Sequence, residues 1–326
     1  MKFPSYRARR GRRSAGIRRL LCESRLSVDN LIYPLFISYG QGVKDEISSM
    51  PNNYRISVDQ IKNEVKELKS LNIPAVILFG IPDPAKKDSS GKEAYNKDGV
   101  VQQAIREFKS IAPELVVIAD VCIDEYTDHG HCGLVKDGKI LNDETLELLS
   151  KMALTFGEAG VDIVAPSDMM DGRIGAIRNS LDSQRFEEVG IISYSAKYAS
   201  SFYGPFREAC NSSPSFGDRR SYQMDPANKE EALREVALDI DENADIIMIK
   251  PALAYLDIIS AVKERFSMPV AAYSVSGEFA MIEAAAAKGW IDKEQAMLET
   301  LVSIKRSGAD MILTYHAKDA ARLLNN

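Results

Sequence analysis

Gly190-Ile-Ile-Ser-Tyr-Ser-Ala-Lys197 and Asp245-Ile-Ile-Met-Ile-Lys250 each pass through an apolar stretch and end on a lysine. Near-continuous runs of this kind mark strands covered on both faces, as in a parallel sheet. Six further runs have the same character, at 31–37, 75–79, 115–119, 162–165, 269–273 and 310–315. Helical periodicity fills most of the intervals. It predicts helices over 58–71 with Ser57 as cap, 143–159 after Asn142 as cap, 230–242, 256–265, 278–288 and 293–307. Gly160 and Gly308 stand where helices should stop before the next strand. Eight such units predict an α/β fold, a (β/α)8 TIM barrel. The open doubly wound sheet is the alternative, but no Gly-x-Gly-x-x-Gly turn follows the first strand.

A barrel of this type carries its chemistry at the C-terminal ends of the strands. Those ends hold Asp120, Ser167 and Asp168, Lys197, Lys250, Ser274 and Ser276, and Tyr315. Lys197 and Lys250 fall on neighbouring strands of the same mouth. A buried ammonium is disfavoured, and a second one nearby disfavours it further. A lysine held partly neutral attacks ketones and forms Schiff bases. One such lysine suggests an aldolase-like enzyme, and two suggest an enzyme that holds two carbonyl substrates. The bland alternative is a pair of strand-end lysines that face solvent.

The 326 residues, 45% hydrophobic and 27% charged, suit one soluble domain with an ordinary core. No apolar stretch reaches membrane-spanning length, and the N-terminus lacks the apolar segment of a secretory signal. Four scattered cysteines make no disulfide framework, so the cytoplasm is the expected compartment. Net charge is −6, unevenly placed: residues 1–25 carry nine basic side chains against Glu23 alone. Such an arm suits nucleic acid, an anionic membrane, an acidic partner subunit or an organelle transit peptide. The expected division is a basic arm over 1–26 and a catalytic barrel over 27–326.

Two long loops hold the remaining chemistry. Asp120-Val-Cys122-Ile-Asp124-Glu-Tyr-Thr-Asp128-His129-Gly-His131-Cys132 concentrates thiol, imidazole and carboxylate groups. That donor set suits Zn²⁺ in an incomplete, open shell, and an ordinary polar loop is the alternative. Residues 200–224 mix aromatics, Gly, Pro and the arginines Arg207, Arg219 and Arg220 without helical periodicity. They read as a lid whose arginines clamp a carboxylate, or as a surface loop whose arginines face solvent.

Together these residues resemble the porphobilinogen synthase family, also called 5-aminolevulinate dehydratases. The motifs are Ala165-Pro-Ser-Asp-Met-Met-Asp-Gly172, Ser193-Tyr-Ser-Ala-Lys-Tyr-Ala199, Phe202-Tyr-Gly-Pro-Phe-Arg207, Ser213-Pro-Ser-Phe-Gly-Asp-Arg-Arg220, Met248-Ile-Lys-Pro251 and Val275-Ser-Gly-Glu-Phe-Ala280. The resemblance implies condensation of two 5-aminolevulinate molecules to a pyrrole, with Schiff bases on Lys250 (first substrate) and Lys197 (second). It places Ser276 and Tyr315 on the first carboxylate, and Arg207, Arg219 and Gln223 on the second. Asp120, Ser167 and Asp168 become the polar floor for amino groups and protons. Family members that depend on zinc resemble Cys-x-Cys followed by a third Cys. Here Asp124 takes the middle position, so the implied site is a hybrid of Cys122, Asp124 and Cys132. His131 beside it is open to orienting a ligand or simply packing. Glu235 matches a glutamate that holds an activating Mg²⁺, and the arm matches one that wraps a neighbouring barrel in a homo-octamer. No nucleic-acid or membrane partner is expected on this reading. The competing readings are a single-lysine Schiff-base aldolase or lyase on the same barrel, and RNA binding through the arm.

Overall fold

The computed structural model describes residues 1–325. Eight parallel strands follow one another in chain order: β1 (Leu31–Ser38), β2 (Ala75–Ile81), β3 (Val116–Val121), β4 (Ile163–Pro166), β5 (Gly190–Lys197), β6 (Ile246–Lys250), β7 (Val270–Ser274) and β8 (Met311–Thr314). Each pairs with the next, and β8 pairs back onto β1 through Leu31↔Ile312 and Ile32↔Leu313, so the sheet closes. All eight runs read as strands in the sequence are strands of this barrel.

Closure divides the apolar residues between two cores, as strand alternation requires. Ile32, Phe36, Ile77, Phe79, Ile118, Ile192, Tyr194, Met248, Tyr273 and Leu313 fill the barrel. Leu31, Leu35, Val76, Leu78, Val117, Val164, Ile191, Ile247 and Ile249 face outward against the helices. Helices Ile61–Ser70, Asn142–Ala159, Glu230–Asp241, Leu256–Arg265, Ser276–Ala287 and Lys293–Arg306 lie where periodicity predicts them, and Val100–Ile111 and Arg173–Ser183 complete the ring.

Gly160 closes its helix in the left-handed region, φ 92°, as expected for a glycine stop. The two cap assignments need correction. Asn142 is the first helical residue, with Leu141 at the cap, and its amide pairs with the backbone of Asp171 instead. Ser57 precedes a 3-10 turn and spends its hydroxyl on the Val43 N–H and on Asp59. Before Val28 the chain forms a 3-10 turn, Ala8–Arg12, and a short helix, Ala15–Leu20, with no buried side chain in either. Among the described residues no helix is long and apolar enough to cross a membrane.

Candidate active site

Lys197 and Lys250 end β5 and β6 directly opposite each other in the ladder. Strict alternation does not predict this. Tyr194 points into the barrel, so Lys197, three residues on, should point out. The ladder runs Ile247↔Ser193 and then Ile249↔Ala196, so β5 carries one more residue than β6 between these pairs. This bulge reverses the phase of β5: Ala196 joins the outer core and Lys197 turns inward.

The two amines have unlike surroundings. Lys197 donates to the Ser167 carbonyl at the end of β4. Lys250 faces four rings, with its Nζ 4.5 Å from the Tyr273 centroid, 5.0 Å from Tyr194 and Phe206, and 5.3 Å from Tyr203. Burial, and then the charge of Lys197, pushes the Lys250 amine down to about 7. Both lysines are buried, at 4% and 5% exposure, which removes the solvent-facing reading.

Asp120, Ser167 and Asp168 gather at the ends of β3 and β4 beside the lysines. Ser167 donates to Asp120 at 3.0 Å, and burial pushes the Asp120 carboxyl up to about 7 against the pull of both lysines. Asp168 accepts from the Met170 N–H at 2.7 Å, with the Arg173 guanidinium 3.9 Å away. Burial pushes its carboxyl up to about 6. Tyr315 shares a hydrogen bond of 2.9 Å with the Tyr273 hydroxyl, and Ser276 accepts from the Phe206 N–H at 3.0 Å.

Two features of residues 200–224 differ from the sequence reading. The segment contains a helix, Gly204–Cys210, hidden by its Gly-Pro start and its brevity. Its arginines also part company: Arg220 is exposed, Arg207 half-buried and Arg219 buried. Arg219 donates to Asp124 at 2.8 Å and to the carbonyls of Gly130 and Ser212. It therefore ties residues 200–224 to the loop after β3. His131 does the same, bonding the Tyr222 hydroxyl at 3.1 Å and the Phe216 carbonyl at 3.0 Å. Gln223 is buried with neither amide atom bonded. Phe206 and Tyr203 line the mouth, and the cavity at the lysines measures about 20 Å³.

Cys122, Asp124 and Cys132 offer two sulfurs and a carboxylate oxygen, all within 4.8 Å of one another and all buried. Among the described residues this is the one group of three such donors, and it can hold a metal ion. Burial opposes ionisation of Asp124, but the Arg219 charge, hydrogen bonds with Cys122 and Glu125 and the Lys197 charge together outweigh it and hold the carboxyl below the usual range. At Cys132 burial is likewise outweighed, by the hydrogen bond from Cys122 and the charge of Arg219, so its thiol is lowered while that of Cys122 is raised. Two sulfurs beside a carboxylate are a donor set that fits metal ligation. Glu235 lies apart from this group. It sits half-buried on helix Glu230–Asp241 and lines a separate cavity of about 300 Å³ with Asp171, Glu231 and Gln223.

A closed parallel barrel with two buried amines in register at its mouth, beside a loop of thiols and carboxylates and covered by residues 200–224, defines a (β/α)8-barrel enzyme with a lysine pair. Comparison with known proteins gives the family. A sequence profile of Delta-aminolevulinic acid dehydratase matches residues 5–323. The chain is 56% identical over 319 residues to the Delta-aminolevulinic acid dehydratase of Halalkalibacterium halodurans, covering 98% of this chain and 97% of that protein. It is 54% identical over 328 residues to the Synechocystis protein of the same description, covering 99% and 100%. A crystal structure of the Toxoplasma gondii delta-aminolevulinic acid dehydratase (porphobilinogen synthase), in complex with the reaction product porphobilinogen, superposes with a TM-score of 0.95. Identity there is 45%, over 98% of this chain and 91% of that one. The chain belongs to the delta-aminolevulinic acid dehydratase family, and with it to the hydro-lyases.

Proposed function

We propose that the protein condenses two molecules of 5-aminolevulinate asymmetrically to porphobilinogen, releasing two waters, in tetrapyrrole (haem) biosynthesis. The observation that carries this reading is the in-register pair of buried lysines, Lys197 and Lys250, at one barrel mouth. With its amine near 7, Lys250 is substantially neutral at physiological pH and attacks the ketone of the first substrate. The ketone oxygen leaves as water and an imine forms. Ser276 and Tyr315 hold that substrate's carboxylate. Lys197 takes the second substrate in the same way, with Arg207, Arg219 and Gln223 around its carboxylate. One imine loses a proton from its adjacent C–H, the resulting enamine carbon adds to the other substrate's imine carbon, and the lysine on that carbon then leaves as a free amine by elimination with a C–H proton. The amino group of one substrate then displaces lysine from the other's imine carbon, closing the carbon–nitrogen bond. The two ketone oxygens account for the two waters, and proton loss from the ring leaves the pyrrole.

Ser167, Asp120 and Asp168 form the floor under the amino groups, and an Asp168 carboxyl near 6 suits proton return at neutral pH. Holding both substrates makes their reaction effectively unimolecular, and a shut lid protects the imines from water. Because the cavity is small with the lid in this position, helix Gly204–Cys210 must swing outward for substrates to enter.

Cys122, Asp124 and Cys132 would hold Zn²⁺, bound less tightly through the carboxylate than through a third thiolate. When bound, that ion supplies charge that polarises an oxygen or acidifies a water. Glu235 would hold Mg²⁺ in its own cavity, with Asp171 and Glu231 beside it. The basic arm over 1–26 would lie on a neighbouring barrel (27–326) in a homo-octamer, and the lack of any buried side chain in Ala8–Arg12 and Ala15–Leu20 supports that role. Four free cysteines fit a reducing cytoplasm. The test is colorimetric detection of pyrrole from 5-aminolevulinate, with and without chelator. Product lost on chelation and restored by Zn²⁺ supports the whole reading. Product that survives chelation removes the metal, and no product under any metal condition removes the reaction.

A further inference from the structure

Glu278 is buried at 1% exposure on the first turn of helix Ser276–Ala287, yet the chemistry above gives it no task. Its carboxylate joins two loops. One oxygen accepts from the N–H groups of Ala252 (3.2 Å) and Leu253 (2.9 Å), which follow Lys250 by two and three residues. The other accepts from the Val275 N–H at 3.0 Å, at the cap before Ser276. Burial pushes the carboxyl up to about 7, against the backbone donors and the Ser274 hydroxyl.

The helix start held by this carboxylate is also the seat of the lid. Ser276 accepts from Phe206, and the Phe202 carbonyl lies only 2.5 Å from where a Cβ on Gly277 would be. Backbone of the lid thus approaches a position that only glycine leaves open. A planar carboxylate suits the junction because both of its oxygens accept. A glutamine in its place would turn an N–H₂ toward one of the two donor sets.

We propose that Glu278 is a positioning residue: it locks the Lys250 loop to the Ser276 helix start, and so fixes the separation between the amine and the hydroxyl that receive the first substrate. The inference rests on Lys250 being the imine-forming lysine. Glu278→Gln and Glu278→Asp proteins are incubated with 5-aminolevulinate, reduced with borohydride and mapped by peptide mass. The expected result is a roughly tenfold or greater fall in the Lys250-to-Lys197 labelling ratio for Glu278→Gln, since a buried hydrogen-bond set is broken. Asp keeps the carboxylate on a shorter stem, so Glu278→Asp falls between that variant and the wild type. A wild-type ratio in Glu278→Gln overturns the proposal. So does an equal loss at both lysines with a collapsed near-UV spectrum, which marks a purely structural role. If the Gln protein does not fold, Glu278→Asp decides, and an unchanged ratio there overturns the proposal. If the wild type labels neither lysine, the lysine reading fails first and this inference goes with it. If the wild type labels both and the variants match it, only this inference fails.

Discussion

Lys250 and Lys197 face each other across one ladder position, but each end of that pair is built differently. Around Lys250 stand four aromatic rings, and burial drives its amine toward neutrality. Lys197 instead leans on a backbone carbonyl, on the side of the barrel that carries the Cys122–Cys132 loop and the lid arginines. The apolar side is held by backbone and by Glu278, and the polar side by ion pairs. Two identical substrate molecules entering such a site meet different environments. That difference lets a symmetric pair of reactants give an asymmetric product.

The largest effect should come from removing either amine. Lys250→Met and Lys197→Met should each lower pyrrole formation on the order of 10⁴-fold or more, the scale seen when a covalent nucleophile is deleted. Full activity in Lys197→Met would restore the single-lysine aldolase reading. On the polar side, Asp124→Ala removes one metal donor and leaves Arg219 buried without its carboxylate. Zn²⁺ affinity, read by competition with a chromophoric chelator, should fall at least tenfold to a hundredfold. Unchanged affinity would take Asp124 out of the metal site.

The apolar side has its own signature in pH. An amine lowered to about 7 is protonated and inert below that value, so kcat/KM should drop about tenfold per unit as pH falls below 7 and level off above it. A flat profile between pH 6 and 8 would mean that burial does not set the reactivity of Lys250. The smallest effect on chemistry should follow deletion of residues 1–26. That change should shrink the assembly on a sizing column while the site residues stay in place, and an unchanged size would free the arm from subunit contact.

Much of this was readable in the sequence, for physical reasons. A strand covered on both faces must be a continuous apolar run, so a lysine closing such a run is conspicuous at both 197 and 250. Thiols, imidazoles and carboxylates crowded into residues 120–132 suggest metal-ligand chemistry before any fold is known, with an ordinary polar loop as the alternative, and the structure brings Cys122, Asp124 and Cys132 together. The bulge in β5 was not readable, although Lys197 would face outward without it, because a bulge is a property of the pairing between two strands. Arg219 read as a carboxylate clamp, and nothing local indicates that it closes on Asp124, 95 residues away in the chain. Tyr203, Phe206 and Tyr273 form part of the wall around Lys250, but in the sequence the first two are only aromatics of the 200–224 loop and the third the end of a strand. Glu278 entered only as part of a predicted helix and of the Val275–Ala280 motif, since its partners are backbone groups of another loop.

The central claim is that both lysines carry substrate, and borohydride trapping of the wild-type enzyme with 5-aminolevulinate tests it directly. Peptide mapping should find a reduced adduct on Lys250 and another on Lys197. An adduct confined to one lysine, with pyrrole still being formed, would contradict the account.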